Sequence, residues 1–250
     1  MEKVVSKISD QPVNQSGDTT GAKAKRKVFR KERKYAIYEV DVFVVENLIR
    51  AHPAMFFKPF PPRYVNNIYF DSPSFRNYGD NVVGSKSRKK FRIRWYGDQF
   101  GYIEKPVLEV KIKEGLAGTK MHYPLSSFTL KEGFSETAIW EVLNESEIPD
   151  EIREYLKHLT PTLLNRYYRK YFISADRKFR LTLDHKLVFT NLSKRNNYFL
   201  KRVADRSKVI IEIKYDIEHD EHVDRISSYF PFRMTKNSKY VNGIDHLDVR

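Results

Sequence analysis

The stretch Lys86-Ser-Arg-Lys-Lys-Phe-Arg-Ile-Arg-Trp-Tyr96 contains the pattern that decides the fold, a strict alternation of charged and apolar residues. The charged positions are Lys90, Arg92 and Arg94, and the apolar positions are Phe91, Ile93 and Trp95. Because successive side chains of a β-strand point to opposite faces, this period predicts a strand with one cationic and one apolar face.

Other segments follow the same alternation, so strands are expected to dominate the chain. The further predicted strands are Arg33–Tyr38, Tyr64–Asp71, Leu108–Lys113, Lys120–Leu125, Lys178–Lys186 and Val209–Asp216. Helical spacing and capping residues predict four helices, at Val40–His52, Ser135–Leu143, Pro149–Leu159 and Asp220–Tyr229. One short motif, Glu-x-Lys, recurs within the strands at Glu32/Lys34, Glu109/Lys111 and Glu212/Lys214. Strand geometry places both charges of each pair on the same face.

Composition narrows the range of partners and compartments. The formal net charge of +14 favours polyanions, namely nucleic acid, anionic membrane or phosphate compounds. The sequence contains no cysteine, which excludes disulfides, thiolate catalysis and Cys-ligated zinc. No apolar run approaches the ~18 residues of a membrane span. With no secretory signal visible at the N-terminus, we expect a cytoplasmic protein without a membrane span.

Two regions differ in composition. Residues 1–27 are polar at first and then basic, which predicts a disordered N-terminal arm. No linker interrupts residues 28–250, which we interpret as one domain.

The charged strand faces have two interpretations. Antiparallel sheets commonly expose one face to water, so alternation alone is equally compatible with an ordinary solvated surface. Six of the nine residues from Lys86 to Arg94 are basic, however, and a face shaped only for solubility would mix both signs. Arginine also presents a planar fork that matches phosphate oxygens. Sign and residue choice therefore favour a face that binds a chain of phosphates.

The glutamates on these faces suggest a cation. Mg²⁺ and Mn²⁺ take hard oxygen ligands, usually one or two carboxylates together with phosphates. Glu212, between Ile211 and Ile213, is the best candidate for a metal ligand. The alternative for Glu212 is a charge partner for Lys214.

An ordered set of motifs resembles the VTC domain, the polyphosphate polymerase module of the triphosphate tunnel metalloenzyme or CYTH-like superfamily. The motifs are Glu32-Arg-Lys-Tyr35, Tyr69-Phe-Asp71, Arg92-Ile-Arg-Trp-Tyr-Gly97, Leu108-Glu-Val-Lys111, Tyr167-Tyr-Arg169, Arg180-Leu-Thr-Leu-Asp184, Ile211-Glu-Ile-Lys214 and Lys236-Asn-Ser-Lys239. Each motif alone has little specificity, whereas their order over residues 28–250 is specific. The resemblance implies an α+β fold, an eight-stranded antiparallel β-barrel or triphosphate tunnel with helices packed outside.

The resemblance also implies roles for individual residues. Residues expected to act in catalysis are Arg92, Arg94, Arg169 and Lys111. Residues expected to bind substrate are Lys34, Lys120, Tyr167, Arg180, Lys214, Lys236, Ser238 and Lys239. Glu212 is expected to hold Mn²⁺ or Mg²⁺. Arg166 lies three residues before Arg169, and a shift of one residue in register would exchange their faces.

The implied reaction moves the γ-phosphate of ATP to inorganic polyphosphate, a step that depends on positioning and charge neutralisation. Alternatives are a triphosphate hydrolase of the same fold and a non-catalytic polyphosphate- or nucleotide-binding module. Net charge alone also suggests a nucleic-acid binder, but we expect no specific nucleic acid as partner. The sequence contains no Gly-rich phosphate loop. His219 and His222 are expected to begin an exposed helix rather than to ligate a metal.

Overall fold

A computed structural model describes residues 30–115 and 117–249. The expected N-terminal arm, residues 1–27, lies outside the described residues. The strands are β1 (Arg30–Tyr38), β2 (Arg63–Asp71), β3 (Ser87–Tyr96), β4 (Gly101–Ile103), β5 (Val107–Glu114), β6 (Ala117–Pro124), β7 (Phe128–Leu130), β8 (Thr160–Ile173), β9 (Arg180–Asn191), β10 (Arg202–Asp205) and β11 (Lys208–Asp216). The helices are α1 (Val42–Arg50), α2 (Arg76–Val82), α3 (Glu136–Asn144), α4 (Asp150–Leu156), α5 (Val223–Ser227) and α6 (Lys239–Leu247), with a 3₁₀ helix at Ile217–His222.

One antiparallel sheet organises the molecule. Its strands follow the order β1-β11-β9-β8-β2-β3-β5-β6, with β10 paired to β9, while β4 and β7 form a separate pair. The sheet curls into a half-barrel, and its ladder leaves β1 and β6 as the two edges. Eight strands in the main path and an α+β composition confirm the fold class expected from the sequence.

The outer face of the sheet is apolar and covered by helices. Buried residues of β2, β3 and β5 pack with α3 and α4 in one core cluster. Buried residues of β1, β9 and β11 pack with α1 and α5 in a second cluster. The apolar positions of the predicted alternation, such as Phe91, Ile93 and Ile211, all belong to these two clusters.

The opposite face of the sheet, here called the inner face, carries the charged positions. Lys34 on β1 acts electrostatically on Lys90 of β3 and Lys111 of β5, although those strands lie at opposite ends of the sheet order. Curvature therefore brings the charged side chains of distant strands together across a groove.

Helix α6 packs on the inner face at one end of this groove. Tyr240, Ile244 and Leu247 form a third cluster there with residues of β2, β8 and β9. Ser238 caps the helix, because its hydroxyl accepts a hydrogen bond from the backbone N–H of Val241. Gly243 lets the helix approach closely, since an added Cβ would lie 2.5 Å from Cδ2 of Leu163. The groove is consequently filled by apolar packing at one end and lined by charges elsewhere.

Candidate functional site

The inner face collects the predicted site residues from seven strands. Antiparallel register aligns them in rows across the sheet, for example Tyr69, Arg92, Glu109 and His122 on successive strands. The predicted residues on this face are Lys34, Arg92, Arg94, Lys111, Lys120, Tyr167, Arg169, Arg180, Glu212 and Lys214. The structure thus brings together residues that are up to 180 positions apart in the chain.

The face of Tyr167 and Arg169 depends on register, and the structure resolves it. Arg169 ion-pairs with Asp184 on the inner face. Arg166 instead stacks over the ring of Tyr64, with 3.7 Å between Cζ and the ring centroid. A bulge in the β8–β9 ladder between Arg166 and Tyr168 accommodates this arrangement.

Glu109 organises the cations of β3 and β6. Its carboxylate accepts a hydrogen bond of 2.8 Å from Nε of Arg92 and one of 3.1 Å from Nη1 of Arg94. Nζ of Lys120 lies 3.5 Å away and Nε2 of His122 lies 3.7 Å away. Burial acts to raise the pKa of Glu109, but Arg92, Arg94 and Lys120 outweigh it and hold the pKa far below its usual range. Glu109 is therefore ionised, and it fixes the direction of both guanidinium groups.

Asp184 organises the cations of β8 and α6 in the same way. This fully buried carboxylate accepts hydrogen bonds of 2.6 and 2.7 Å from Nε and Nη2 of Arg169. Nζ of Lys239, at the start of α6, lies 2.6 Å from its second oxygen. Burial acts to raise the pKa of Asp184, but Arg169 and Lys239 lower it to about 2. A bidentate pair of this kind locks the guanidinium plane.

Tyr167 connects the two carboxylate clusters. Its hydroxyl accepts a hydrogen bond of 3.4 Å from Nη2 of Arg94. Its ring lies beneath two cations, 5.2 Å from Cζ of Arg169 and 4.6 Å from Nζ of Lys239. Tyr167 therefore contacts Arg169 and Lys239 through its ring and Arg94 through its hydroxyl.

The match to a family model decides which family this arrangement belongs to. The model of the VTC domain matches residues 29–248, nearly the whole chain. The chain belongs to the VTC domain family. No curated protein matches it as a relative.

Several solved structures are also similar to this VTC chain. A putative adenylate cyclase from Vibrio parahaemolyticus is 12% identical, with 86% of this chain and 98% of that one covered and a TM-score of 0.46. A putative adenylyl cyclase from Hippeastrum, described as having a dominant triphosphatase activity, is 13% identical, with 86% and 96% covered and a TM-score of 0.47. A putative adenylate cyclase from Bacillus halodurans is 16% identical, with 87% and 97% covered and a TM-score of 0.43.

A third carboxylate cluster of the VTC chain surrounds Glu212. Nζ of Lys34 lies 2.8 Å from Glu32 and 3.9 Å from Glu212, so two carboxylates share one lysine. Nζ of Lys214 lies 3.4 Å from Glu212, and Nη2 of Arg169 lies 4.0 Å away. Burial acts to raise the pKa of Glu212, but Lys214, Lys34, a hydrogen bond with Glu32, and Arg169 hold it well below its usual range.

Glu212 and Glu32 are the residues of this cluster that could contribute oxygen ligands to a hard divalent cation. Two adjacent carboxylates satisfy the protein's share for Mg²⁺ or Mn²⁺, which otherwise keep water and phosphate oxygens as ligands. Within the described ranges, no group of three or more acidic or histidine side chains is placed so that it could hold a metal ion. Glu32 is the neighbour that the sequence analysis did not assign, although its Glu-x-Lys motif signalled that it shares a face with Lys34.

The remaining predicted residues lie at the margins of the groove. Arg180 is partly buried on β9, opposite Lys214 in the ladder. Lys236 is exposed and follows Thr235, whose backbone N–H donates a 2.8 Å hydrogen bond to the carbonyl of Lys34 at the edge of β1. The hydroxyl of Ser238 serves as the cap of α6. Lys236 therefore lies next to the edge of β1, and Ser238 lies at the start of α6.

Sequence reasoning missed the roles of Asp184 and Glu109 as organisers of cations. Both occupy charged positions of the alternation, which was the available signal. His219 and His222 lie in the 3₁₀ helix after β11, away from the inner face, as the sequence analysis expected. In the part of the chain that the structure describes, no helix is long and apolar enough to cross a membrane.

Proposed function

We propose that this VTC domain is a metal-dependent phosphotransferase that moves the γ-phosphate of ATP to the end of an inorganic polyphosphate chain. The observation that supports this most directly is the convergence of Lys34, Arg92, Arg94, Lys111 and Arg169 on one concave face. A groove with so many cations attracts a linear polyanion, and its arginines offer the fork geometry that phosphate oxygens accept.

The residues would act mainly through charge and position. The guanidinium groups of Arg92, Arg94 and Arg169 would neutralise the equatorial oxygens of the transferred phosphoryl group. An oxygen of the terminal phosphate of the acceptor chain would attack the γ-phosphorus, and the bond between that phosphorus and the β,γ-bridging oxygen would break to release ADP. A terminal phosphate is already ionised, so no protein base is needed. Lys34, Lys111 and Lys120 would hold both phosphate chains in line.

Glu212, with Glu32 beside it, would hold Mn²⁺ or Mg²⁺. Such an ion supplies charge neutralisation on the phosphates and on the leaving group. Lys214 and Lys34 would keep Glu212 ionised when no cation is bound, because their charges lower its pKa.

Hydrolysis of triphosphates is the second candidate. β1 and β6 do not pair with each other in the described sheet, and an opening between them would admit water as the nucleophile instead of a phosphate. A non-catalytic module would bind ATP or polyphosphate without forming either product.

The deciding experiment incubates purified protein with γ-labelled ATP and Mn²⁺ or Mg²⁺, and separates polyphosphate from orthophosphate. We expect label in polyphosphate. Label only in orthophosphate would establish a hydrolase, and unchanged ATP with tight binding would establish a binding module. RNA that tripolyphosphate cannot displace would contradict all three and indicate a nucleic-acid binder.

The metal assignment has its own test. Glu212→Gln should abolish turnover while tripolyphosphate still binds in the presence of EDTA, because the cations of the groove remain. The matched control is Glu218→Gln, since the Glu218 side chain is 74% exposed outside the groove and contacts only His219 among its described ion-pair partners. Turnover that survives Glu212→Gln would refute the assignment.

A further inference from the structure

The cationic row of the inner face continues beyond the residues given a role so far. On β3, β5 and β6, Lys90, Lys111 and Lys120 lie directly opposite one another in the ladder. Arg88 and Lys113 form the next pair toward the end of the groove. Like charges directly opposite on neighbouring strands destabilise a sheet. This arrangement therefore lowers the stability of the fold, and a role in folding does not explain it.

These outer cations differ from the inner ones in their partners. Arg92, Arg94 and Arg169 each ion-pair with Glu109 or Asp184. By contrast, Lys90 and Arg88 have no ion pair with any carboxylate that the structure describes, although both side chains are partly buried. Neither side chain points to the outer face, where Lys89 stacks on Tyr155 with 4.2 Å between Nζ and the ring centroid.

The charges that act most strongly on Lys90 are positive. Burial, together with Lys34 from β1, Arg88 and Arg92 from β3, and Lys111 from β5, lowers the pKa of Lys90 to about 7. An anion placed between these residues would relieve the repulsion and favour the charged form of Lys90.

The length of the cationic row indicates what that anion is. Arg94 and Arg88 are six residues apart on one strand, which corresponds to ~20 Å at about 3.4 Å per residue. This path is longer than the triphosphate of one nucleotide. A ligand that follows the whole path must therefore be a longer phosphate chain.

We propose that Arg88, Lys90 and Lys113 form an outer phosphate subsite that binds the part of a polyphosphate chain lying beyond the triphosphate position. The biological meaning of this subsite rests on the proposed function, because a polymerase must hold a chain that grows past its active centre. The subsite would then discriminate ligands by chain length, since only chains longer than a triphosphate reach it.

The test compares two charge-removing substitutions on the same strand. Lys90→Met removes a cation of the subsite, and Lys89→Met removes one from the opposite face. Isothermal titration calorimetry would measure the binding of tripolyphosphate and of a much longer polyphosphate, without ATP. We expect Lys90→Met to weaken long-chain binding by about 10-fold or more and tripolyphosphate binding by less than about 2-fold. Lys89→Met should change both affinities alike.

A second readout excludes a purely structural role. Binding of the long chain above pH 7 should take up protons in the wild-type protein, because the anion raises the pKa of Lys90. Titrations in buffers of different ionisation enthalpy measure this uptake, which should decrease in Lys90→Met. Thermal unfolding of Lys90→Met should show no loss of stability, because the substitution removes repulsion.

Two results would overturn the subsite: equal weakening of both ligands by Lys90→Met, or the same behaviour in Lys90→Met and Lys89→Met. Both measurements are independent of turnover. A protein that shows the length-dependent effect but transfers no phosphate would therefore refute the proposed function and leave the subsite intact, and the reverse combination would refute the subsite alone.

Discussion

Asp184→Asn should be the most informative substitution in the groove. The carboxylate is fully buried and accepts three hydrogen bonds, two from Arg169 and one from Lys239. Asparagine keeps the shape of the side chain but removes its charge. Two cations would then be left in a buried position with no counter-charge from this residue.

Two estimates give the size of this effect: the shift in the pKa of Asp184 and the usual cost of breaking a buried ion pair. Arg169 and Lys239 outweigh burial and lower the pKa of Asp184 from 3.8 to about 2. A difference of about 1.8 units is equivalent to ~2.4 kcal/mol at 1.36 kcal/mol per unit. Removing one partner of a buried ion pair costs about 3–5 kcal/mol. We therefore expect Asp184→Asn to lower the free energy of unfolding by roughly 2.5–5 kcal/mol at neutral pH.

The pH dependence has a defined sign. Because the folded-state pKa lies below the unfolded one, the ionised carboxylate contributes its full stabilisation above pH 3.8. That contribution is lost as the pH falls through the folded-state value of about 2. The wild-type protein should therefore lose stability over this acidic interval, and Asp184→Asn should lack this component of the loss.

Urea denaturation at neutral and acidic pH measures both quantities. The matched control is Asp224→Asn, since the Asp224 side chain is 80% exposed where it pairs with Arg33, and its loss should cost less than ~1 kcal/mol. Tripolyphosphate should restore part of the stability of Asp184→Asn by pairing with the released cations. A loss below ~1 kcal/mol, or an unchanged acid dependence, would refute the reasoning.

Two further substitutions test other parts of the groove. Glu109→Gln releases the guanidinium groups of Arg92 and Arg94, so it should lower the melting temperature of the free protein. It should also increase the rise in melting temperature that tripolyphosphate produces, because the released groups are free to bind the ligand. Thermal unfolding with and without tripolyphosphate measures both effects, and an unchanged rise would contradict this prediction. Gly243→Ala places a Cβ 2.5 Å from a methyl carbon of Leu163 and should lower the free energy of unfolding by about 1–3 kcal/mol. Gly79→Ala, which has open space around the added Cβ, should not lower the stability of the protein. Equal effects of the two substitutions in calorimetry would argue against tight packing of α6.

The fold could be predicted where one face of a strand is charged and the other apolar. The alternation in β3, β5 and β11 located those strands and assigned their faces correctly. β8 was missed as a strand because it is central in the sheet and packs on both sides. Leu164 belongs to the outer core cluster and the adjacent Leu163 to the cluster under α6, so its sequence shows no two-residue period.

Two helices were missed for a different reason. α2 is capped by the side chain of Asp71, which accepts hydrogen bonds from the backbone N–H groups of Asn77 and Tyr78. This cap comes from the end of β2, outside the helix, so capping preferences at the helix itself did not reveal it. α6 did carry a signal, the capping residue Ser238, but Gly243 lowers its helix propensity. Its stability comes from packing on the inner face.

The sequence by itself determined which residues share the inner face, because the two-residue period of a strand is a local property of the backbone. It thereby placed Lys34, Arg92, Lys111 and Glu212 on one side of the sheet. Only the tertiary structure decided which cations are neutralised and which are free. Glu109 reaches Arg92 through strand register, and Asp184 reaches Lys239 through the docking of α6. Electrostatic energy falls with distance, and curvature and register set the distances between residues far apart in the chain.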